Sequence, residues 1–478
     1  MNILNNPILS TDSYKFSHFM QYPEGTTFIS SYIEARGSNV PGVKEVVFFG
    51  LQAYIKERLL TPVTMAAVRE ADDFCQKHGV PFNREGWEYI VREHNGLLPV
   101  RIYAPEEGTP VPINECMVHV ENTDDKCAWL VSYLETDILR AVWYPSTVAT
   151  ISREAKKIIK RYLDDTADNS DCLAFKLHDF KLHDFGFRGV SSFESAAIGG
   201  AAHLINFMGT DTVAGIGFAE CYYDADVCGF SLPASEHSTM TIRGRAGESD
   251  SYYAMVKAYA KPGAMFACVI DSYNWREAAR MWTDRRRELE GESILDLVKN
   301  VGATVVLRPD SGDPTKVPVE LIEILWDRTP EKLVNSKGYK MLPPYVRVIQ
   351  GDGITIETIP VILENIKRAG FSTDNIAMGM GGGLLQKVDR DTFKFAMKAS
   401  YAIINDEGVE VYKDPIDGGK TSKKGYVRLL KNKKTGEYST GNGSHDAIPA
   451  DHVVFEHYKD RTRTSFIDFN RVRENAKV

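Results

Sequence analysis

A repeated pattern in the middle of the chain constrains its fold most. Between residues 145 and 400, short apolar runs rich in β-branched residues end in small or charged residues, and amphipathic helices follow them. The runs recur about every 25–45 residues, a spacing typical of βα units with parallel strands. The clearest examples are Met265–Ile270 before DSYN, Ala303–Leu307 before RPDSG, Val346–Ile349 before QGDG and Ile376–Met378 before GMGGG.

The intervening helices show the same alternation. Pro318–Trp326 has a helical pattern, and Glu357–Ala369 places Ile359, Ile362 and Ile366 at the 3/4 spacing of a half-buried helix. An open doubly wound sheet and a closed barrel both fit this order. Motifs with acids and glycines after at least four strands favour a barrel, because its active site is built from many strand ends.

The sequence has a different texture on either side of this region. Residues 1–145 mix β-like runs such as Thr27–Ile33 with helical stretches such as Met65–His78, and residues 400–478 return to that mixture. The α/β-barrel catalytic domain is therefore predicted over 146–399. Residues 1–145 and 400–478 are predicted to form one discontinuous α+β domain.

Composition excludes several classes of protein. Lys and Arg number 57 against 65 Asp and Glu, so the net charge of −8 disfavours binding to bulk nucleic acid. No apolar run approaches the ~18–20 residues of a membrane span, and the N-terminus does not resemble a signal peptide. The seven cysteines are scattered without a CxxC pair, which favours reduced thiols and a cytoplasmic location.

Two motifs predict a site for an aromatic, polar ligand. In HDFGFRG (His183–Gly189), Phe185 can offer a flat face and Arg188 a phosphate-binding fork; a core Phe and a surface Arg are the alternative. In GTDTVAG, Asp211 is expected near the start of a strand. Its carboxylate can accept a hydrogen bond from a ligand NH₂ group or form an Asx-type turn.

Charged groups after the other strands suit phosphate chemistry. PASEHST places His237 in a polar, flexible loop, where it is either a phosphoryl acceptor or a solvated histidine. Asp271, Asp310 and Asp352 each follow a predicted strand, where carboxylates suit Mg²⁺ bound to pyrophosphate, or ribose hydroxyls. Each could alone form a turn, but their equivalent positions favour function, and Arg308 adds a fork beside Asp310.

Glycine-rich loops are the strongest local signal. GDG (Gly351–Gly353) and GMGGGLLQ (Gly379–Gln386) follow consecutive strands, and glycines let backbone N–H groups approach a phosphate closely. No GxxxxGK[ST] motif occurs, so a P-loop is excluded. A basic set farther along forms either a phosphate site or a solvated face: Arg390, Lys398, Lys413 and Lys423-Lys424.

These motifs, in order along the chain, resemble the nicotinamide phosphoribosyltransferase family of type II phosphoribosyltransferases. TDSYK, HDFGFRGVSS, GTDTVAG, PASEHST, DSY, RPDSG, NSKGYKMLPPYVRVIQGDG, GGGLLQK and the KDP and SKKG segments carry the resemblance over essentially the whole chain. It implies a (β/α) barrel-like core with a second discontinuous α+β domain. It also implies a pentosyltransferase of NAD salvage that converts nicotinamide and 5-phosphoribosyl 1-pyrophosphate to nicotinamide mononucleotide and pyrophosphate, with Mg²⁺ and stimulation by ATP.

The resemblance also implies roles for individual residues. Phe185 and the partner subunit's Tyr14 would stack on the two faces of nicotinamide, with Asp211 accepting from the carboxamide and Arg188 beside the ring and phosphate. His237 would be phosphorylated by ATP, with Asp271 orienting it. The remaining groups would bind ribose, phosphates and ATP, four of them across the interface of a homodimer: Arg308, Asp310, Gly351, Asp352, Gly381 and Gly382, then Asp12, Arg390, Lys398 and Lys413.

Two departures from the family pattern stand out. Residues 176–180 and 181–185 both read KLHDF, where the family shows one copy. An odd insertion inverts the faces of a strand, so both copies cannot continue one strand, and one is expected to bulge into a loop. Only the second copy precedes GFRG, which assigns stacking to Phe185 rather than Phe180. In addition, Ala267 and Ala396 stand where hydroxyls are expected.

Two alternative functions fit the sequence less well. A nicotinate phosphoribosyltransferase is disfavoured, because Asp211 would repel the carboxylate of nicotinate. A non-catalytic binding protein has no need for the acids, the glycines and His237 together, and only the duplication favours it.

Overall fold

The computed structural model describes residues 5–168, 177–416, 421–442 and 447–478. Cys172 and Lys176, the first residue of the repeat, lie outside them. The strands in the described residues are β1 Thr26–Ala35, β2 Glu45–Val47, β3 Val100–Ala104, β4 Pro110–Pro112, β5 Cys116–Asn122, β6 Leu182–Asp184, β7 Gly209–Thr210, β8 Met265–Val269, β9 Thr304–Arg308, β10 Leu333–Val334, β11 Lys340–Met341, β12 Val346–Gln350, β13 Ile376–Met380, β14 Phe395–Ile404, β15 Glu407–Glu410, β16 Arg428–Asn432, β17 Tyr438–Gly441, β18 Ala447–Pro449, β19 His452–Tyr458 and β20 Arg461–Thr464.

Helices connect most of the strands from β5 to β14. The α-helices of the described chain are α1 Leu51–Tyr54, α2 Met65–His78, α3 Arg84–Glu93, α4 Trp129–Tyr133, α5 Glu135–Thr166, α6 Phe193–Leu204, α7 Val213–Tyr223, α8 His237–Thr241, α9 Glu248–Tyr259, α10 Trp275–Thr283, α11 Ile294–Val301, α12 Val317–Arg328, α13 Thr358–Arg368, α14 Gly382–Leu385 and α15 Phe469–Asn475. No helix in this part of the chain has both the length and the hydrophobicity to cross a membrane.

One compact unit combines both ends of the chain: Met1–Thr150, Ala219–Ala225 and Val388–Lys477. Its antiparallel sheet has the order β15-β14-β1-β5-β3-β19-β20, so late strands flank early ones on both sides. β14 pairs with β1 from Phe395 opposite Ala35 to Ile404 opposite Thr26. This pairing explains why the unit resumes at Val388, ahead of the boundary at 400 predicted from texture. The domain limits 1–145, 146–399 and 400–478 stay a prediction.

The second compact unit contains Ile151–Phe218, Asp226–Lys387 and Val478. Its parallel sheet has the order β7-β6-β13-β12-β9-β8. The extended segment 230–235 lies between the two outer strands: Phe230 forms a parallel bridge with Gly209 of β7, and Ala234 forms one with Ala267 of β8. The ring of hydrogen bonds is thereby closed, which makes the unit barrel-like.

The strand and helix predictions for this unit are confirmed. β8, β9, β12 and β13 coincide with the four β-branched runs, and their central residues are buried. Helix α13 buries the apolar stripe predicted over Glu357–Ala369. Ser192 caps α6, its side chain accepting from the N–H of Ser195 at 3.0 Å.

The two copies of KLHDF adopt different structures, as predicted. Leu177–Phe180 of the first copy forms a 3-10 helix, whereas Leu182–Asp184 of the second is β6. Asp179 anchors the first copy, since its carboxylate pairs with Lys156 at 2.6 Å and its carbonyl accepts from the N–H of Met208 at 2.8 Å. The described part of the first copy therefore precedes the strand, and only the second copy contributes to β6.

Burial of one histidine in this unit makes stability depend on pH. His203 is fully buried on α6, bonded through Nδ1 to the Ser152 hydroxyl at 3.0 Å and stacked on Phe207. Burial lowers the pKa of His203 to about 3. The imidazole therefore stays neutral in the folded protein, while the unfolded chain binds a proton below its ordinary pKa of about 6.5.

We expect stability to fall as pH drops below about 6.5, by about 1.4 kcal/mol at pH 5.5 from this group alone. Urea unfolding at pH 7.5 and 5.5, followed by circular dichroism, measures the loss. His203→Gln should reduce it by that amount, whereas His78→Gln, at an exposed histidine, should not. An unchanged pH dependence in His203→Gln would contradict the assignment.

Candidate functional site

The second unit collects the predicted residues at one edge of its barrel. Parallel strands present their carboxyl ends on the same side, so groups that follow them converge. The residues, in the order of their strands, are Phe185 after β6, Asp211 after β7, His237 after segment 230–235, Asp271 after β8, Arg308 and Asp310 at and after the end of β9, Gly351 and Asp352 after β12, and Gly381 and Gly382 after β13.

Phe185 is held against a glycine on the neighbouring strand. Its backbone N–H donates to the carbonyl of Met380 at 3.0 Å. A Cβ atom at Gly379 would lie 1.9 Å from the Phe185 ring, so the ring packs directly on the Gly379 backbone. The Arg308 guanidinium lies 4.9 Å from the ring centre. Phe185 is therefore a fixed aromatic face with a cation beside it.

Phe180 and Arg188 differ from Phe185 in their surroundings. Phe180 belongs to the 3-10 helix of the first repeat, and its ring lies 6.3 Å from that of Phe230. Arg188 is exposed in a second 3-10 helix, Phe187–Gly189, and in the described residues its guanidinium has no hydrogen bond or ion pair. Its positive charge is available to a ligand, as a phosphate-binding role requires.

Arg308 and Asp310 form an ion pair next to the first glycine loop. Both Nε and Nη2 of Arg308 donate to Oδ1 of Asp310, at 3.2 and 2.8 Å. A Cβ atom at Gly351 would lie 2.8 Å from Arg308 Nε and from Asp310 Oδ1, so any larger residue there would displace the ion pair. The adjacent Asp352 is exposed. The pair fixes the guanidinium beside a loop whose backbone is accessible.

His237 is the first residue of α8, not part of a flexible loop as predicted. Its Nε2 lies 2.9 Å from Oδ1 of Asp271, whose side chain is only 4% exposed, against 47% for the imidazole. The preceding turn is pinned to β8, because the Val269 N–H donates to the Ser235 hydroxyl at 2.9 Å. The backbone hydrogen bonds around Ala267 reinforce this anchor. An accessible histidine is thus oriented by a nearly buried carboxylate.

Asp211 directly follows the two-residue strand β7, two positions after its start. Its Oδ1 accepts from His183 Nε2 at 3.1 Å and from the Ser231 hydroxyl at 2.5 Å. Burial raises the pKa of Asp211, but these hydrogen bonds and the charge of Arg308 outweigh it, so the net pKa lies below the usual value. Asp211 is therefore an ionised acceptor near neutral pH.

Sequence reasoning missed three residues of this edge. His183 lies two positions before Phe185 on the same strand face, a period-2 signal within the HDFGFRG motif. Asp184 is fully buried, which raises its pKa to about 6, and its Oδ1 accepts from the Gly186 N–H at 2.7 Å. Ser231 carried no signal, because it stands in an irregular segment.

A cavity of about 720 Å³ lies inside the barrel and is lined by residues of its strands and of segment 230–235. His183 and Ser231 contribute polar groups, whereas Val306, Ile349 and Ala377 are apolar. Ala267, where a hydroxyl was expected, packs with Val306 and Ile349 in a hydrophobic cluster. His183 and Ser231 place one end of the cavity next to Asp211, whereas Met265, Thr304 and Ile376, the first residues of their strands, place the other end at the amino ends of the strands.

The first unit carries the other predicted residues. Lys398 lies on β14, 3.8 Å from Glu135, and Lys15 bonds to the same carboxylate at 2.6 Å. Burial lowers the pKa of Lys398, Glu135 opposes this, and the positive charges of Arg36, Lys15 and Arg390 lower it further. This concentration of cations around one carboxylate suits an anion; Lys15 and Arg36 were not predicted.

The other predicted residues of the first unit include exposed side chains. Tyr14 has 59% of its side chain exposed. Asp12 accepts from the Thr136 hydroxyl at 2.7 Å, and Lys413 is exposed with its backbone N–H bonded to the Ser422 hydroxyl. Ala396, the second expected hydroxyl position, is buried on β14.

Comparisons with known proteins show the family to which the chain belongs. The nicotinate phosphoribosyltransferase (NAPRTase) family model matches residues 180–455, and the model for the N-terminal domain of nicotinamide phosphoribosyltransferase matches residues 6–102. Nicotinamide phosphoribosyltransferase of Xanthomonas campestris pv. campestris (strain 8004) is 49% identical over 440 residues, 92% of this chain and 90% of that protein. The enzyme of the same name from Acinetobacter baylyi is 31% identical over 466 residues, 90% and 89% of the two chains.

Solved structures confirm the predicted α/β fold. Nicotinate-nucleotide pyrophosphorylase from Pyrococcus furiosus superposes with a TM-score of 0.61 at 15% identity, covering 99% of this chain and 95% of that one. Human nicotinic acid phosphoribosyltransferase gives a TM-score of 0.53 at 13% identity, covering 98% and 92%.

The contact between Phe185 and Gly379 predicts a stability effect. Gly379→Ala forces the ring to move, so the free energy of unfolding should fall by about 1–3 kcal/mol. Gly382→Ala is the control, because a Cβ atom there meets nothing within 4 Å. Urea unfolding of both variants measures the difference, and equal stabilities would show that the ring is not tightly held.

Proposed function

Because the chain belongs to the nicotinate phosphoribosyltransferase family and groups there with nicotinamide phosphoribosyltransferases, we propose that nicotinamide is its substrate. The chain is a pentosyltransferase of NAD biosynthesis. In the proposed reaction, the ring nitrogen of nicotinamide attacks C1 of 5-phosphoribosyl 1-pyrophosphate as pyrophosphate leaves. The products are nicotinamide mononucleotide and pyrophosphate.

The ionised carboxylate of Asp211 is the observation that carries this choice of substrate. Its Oδ1 is bonded to His183 and Ser231, and its pKa is lowered. A carboxamide offers N–H donors to such an acceptor, whereas the carboxylate of nicotinate is repelled. Nicotinate is therefore the disfavoured second substrate. Phe185 supplies a flat face for the pyridine ring, and the partner subunit's Tyr14 would supply the other.

The remaining barrel-edge groups suit the other substrate. Loss of pyrophosphate develops positive charge on the ribose, so the protein chiefly positions the ring nitrogen and stabilises the departing anion. Arg308, held by Asp310, would orient the ribosyl phosphate beside Gly351. Gly381 and Gly382 would approach the 5′-phosphate with backbone N–H groups at the start of α14. Asp352 would accept from a ribose hydroxyl.

Mg²⁺ fits the donors at this edge. Asp271, Asp310 and Asp352 are hard oxygen donors that follow separate strands. In the described part of the chain, these three carboxylates do not lie close enough together to hold one ion by themselves. One or two carboxylates with pyrophosphate oxygens completing the shell is the coordination that this cation prefers. When bound, Mg²⁺ would neutralise charge on the leaving group.

His237 would couple ATP to this reaction. An ionised Asp271 can only accept, so His237 Nε2 carries the proton in their hydrogen bond and the lone pair is on Nδ1. Nδ1 would attack the γ-phosphorus of ATP, forming an N–P bond as the bond to ADP breaks. The phosphohistidine would then organise the pyrophosphate site and stimulate synthesis.

A homodimer with shared sites would complete the arrangement. The residues expected from the partner subunit belong to the first unit, where Lys398 and Arg390 share a basic cluster and Tyr14 is exposed. An anion drawn to that cluster fits the phosphates of 5-phosphoribosyl 1-pyrophosphate and ATP.

We also propose a cytoplasmic enzyme, because the six described cysteines are free thiols.

Product formation by the purified protein tests the proposed function. Nicotinamide and nicotinate are compared with 5-phosphoribosyl 1-pyrophosphate and Mg²⁺, each with and without ATP. Nicotinamide mononucleotide formed preferentially, and faster with ATP, supports the substrate and the coupling. Preference for nicotinate overturns the substrate assignment, and no turnover by folded protein favours a binding role.

Asp211→Ser should weaken the preference for nicotinamide over nicotinate. Loss of a hydrogen bond to a charged group should lower the nicotinamide-to-nicotinate ratio of kcat/KM by about tenfold or more. Asp250→Ser, at an exposed acid on α9, is the control. An unchanged ratio in Asp211→Ser would remove this carboxylate from the specificity argument.

His237→Ala should retain basal synthesis but lose its stimulation by ATP, because no nitrogen nucleophile remains. Rates with and without ATP, together with phosphate incorporated from γ-labelled ATP, measure the effect. His452→Ala, outside the predicted site, should keep both. Stimulation persisting in His237→Ala would refute the phosphohistidine.

A further inference from the structure

We propose that His183 and Ser231 are positioning residues that set the preference for a carboxamide by saturating one oxygen of Asp211 and leaving the other free. This inference rests on the proposed function. His183 and Ser231 would make Asp211 selective, whereas Asp211 itself would accept from the carboxamide.

The hydrogen bonds at Asp211 are unequal between its two oxygens. His183 Nε2 and the Ser231 hydroxyl both donate to Oδ1, at 3.1 and 2.5 Å. In the described residues, Oδ2 accepts no hydrogen bond. A carboxylate oxygen already bonded to two donors is a poorer acceptor for a third, so a ligand NH₂ group is directed to Oδ2.

The backbone prevents His183 from moving away from Asp211. His183 lies at the centre of β6, opposite Gly209 of β7. A Cβ atom at Gly209 would lie 2.8 Å from His183 Nδ1, so the ring rests on the glycine backbone. Only 12% of the His183 side chain is exposed, and its ring also lies 5.0 Å from that of Phe185. One imidazole therefore contacts both the aromatic face and the acceptor.

Ser231 reaches Asp211 from a different element. It follows Phe230 in the segment that closes the barrel, where the Phe230 carbonyl accepts from the Thr210 N–H at 3.0 Å and the Phe230 N–H donates to the Met208 carbonyl at 2.7 Å. These bonds fix Ser231 next to the end of β7. Two anchored donors on different elements hold the carboxylate plane in one orientation, which neither could do alone.

The charges show why these donors affect specificity. An ionised carboxylate only accepts, so His183 must carry its proton on Nε2 to make this bond. Hydrogen bonds to the charged form favour that form. If a donor is lost, Asp211 can rotate or take up a proton, and a protonated carboxyl can donate to the carboxylate of nicotinate. Loss of either donor should therefore weaken discrimination without removing the catalytic groups.

Paired substitutions test this proposal. Ser231→Ala and His183→Leu each remove the hydrogen-bond donor at that position, whereas Ser231→Thr and His183→Gln each keep one. We expect the removing variants to raise KM for nicotinamide about tenfold with kcat within about twofold, and to lower the nicotinamide-to-nicotinate ratio of kcat/KM by a similar factor. The donor-retaining variants should keep most of the preference. A purely structural role would instead affect both substrates equally.

A double substitution shows whether the effect passes through Asp211. Residues that act through one group are not additive, so adding Ser231→Ala to Asp211→Ser should change the ratio less than twofold. The same factor in both backgrounds would overturn the proposal. So would an unchanged ratio in Ser231→Ala and His183→Leu when the wild type prefers nicotinamide. A wild type without that preference would contradict the proposed function instead.

Discussion

The hydrogen bonds that close the barrel are the constraint on which the rest of the second unit depends. Its six parallel strands leave β7 and β8 without a common neighbour, and segment 230–235 bridges them through Phe230 and Ala234. A closed ring places every strand end at one rim. The same segment delivers Ser231 to Asp211 and leads directly into His237. The segment that closes the barrel therefore also positions groups of the site.

Glycines set the spacing at this rim. The Phe185 ring fills the space that a side chain at position 379 would need. The Arg308–Asp310 ion pair fills the corresponding space at Gly351. The His183 ring rests on Gly209 in the same way. These glycines allow close packing, a role separate from the phosphate approach proposed for the GDG and GMGGG loops. Direct contact between a ring and backbone leaves the aromatic side chain little freedom, which suits a rigid ligand.

Much of the fold could be predicted from local sequence. The β-branched runs became β8, β9, β12 and β13, because a strand buried on both faces must be apolar at successive positions. The short helix α8 and the bridging role of segment 230–235 could not be predicted. Short elements carry too few residues for a periodic signal, and their structure depends on neighbours distant in the chain. His237 was expected in a loop for this reason, since α8 has only five residues.

The sequence by itself determined the family, the order of strand and helix, and the acids, glycines and aromatic residue that reach the rim, because each is written in contiguous motifs. Tertiary structure alone decided which groups meet. The pairing of His237 with Asp271, the joint hold of His183 and Ser231 on Asp211, and the basic cluster around Glu135 join residues 20 to more than 250 positions apart in the sequence. Such contacts depend on strand order and ring closure, which local hydrophobic patterns do not encode.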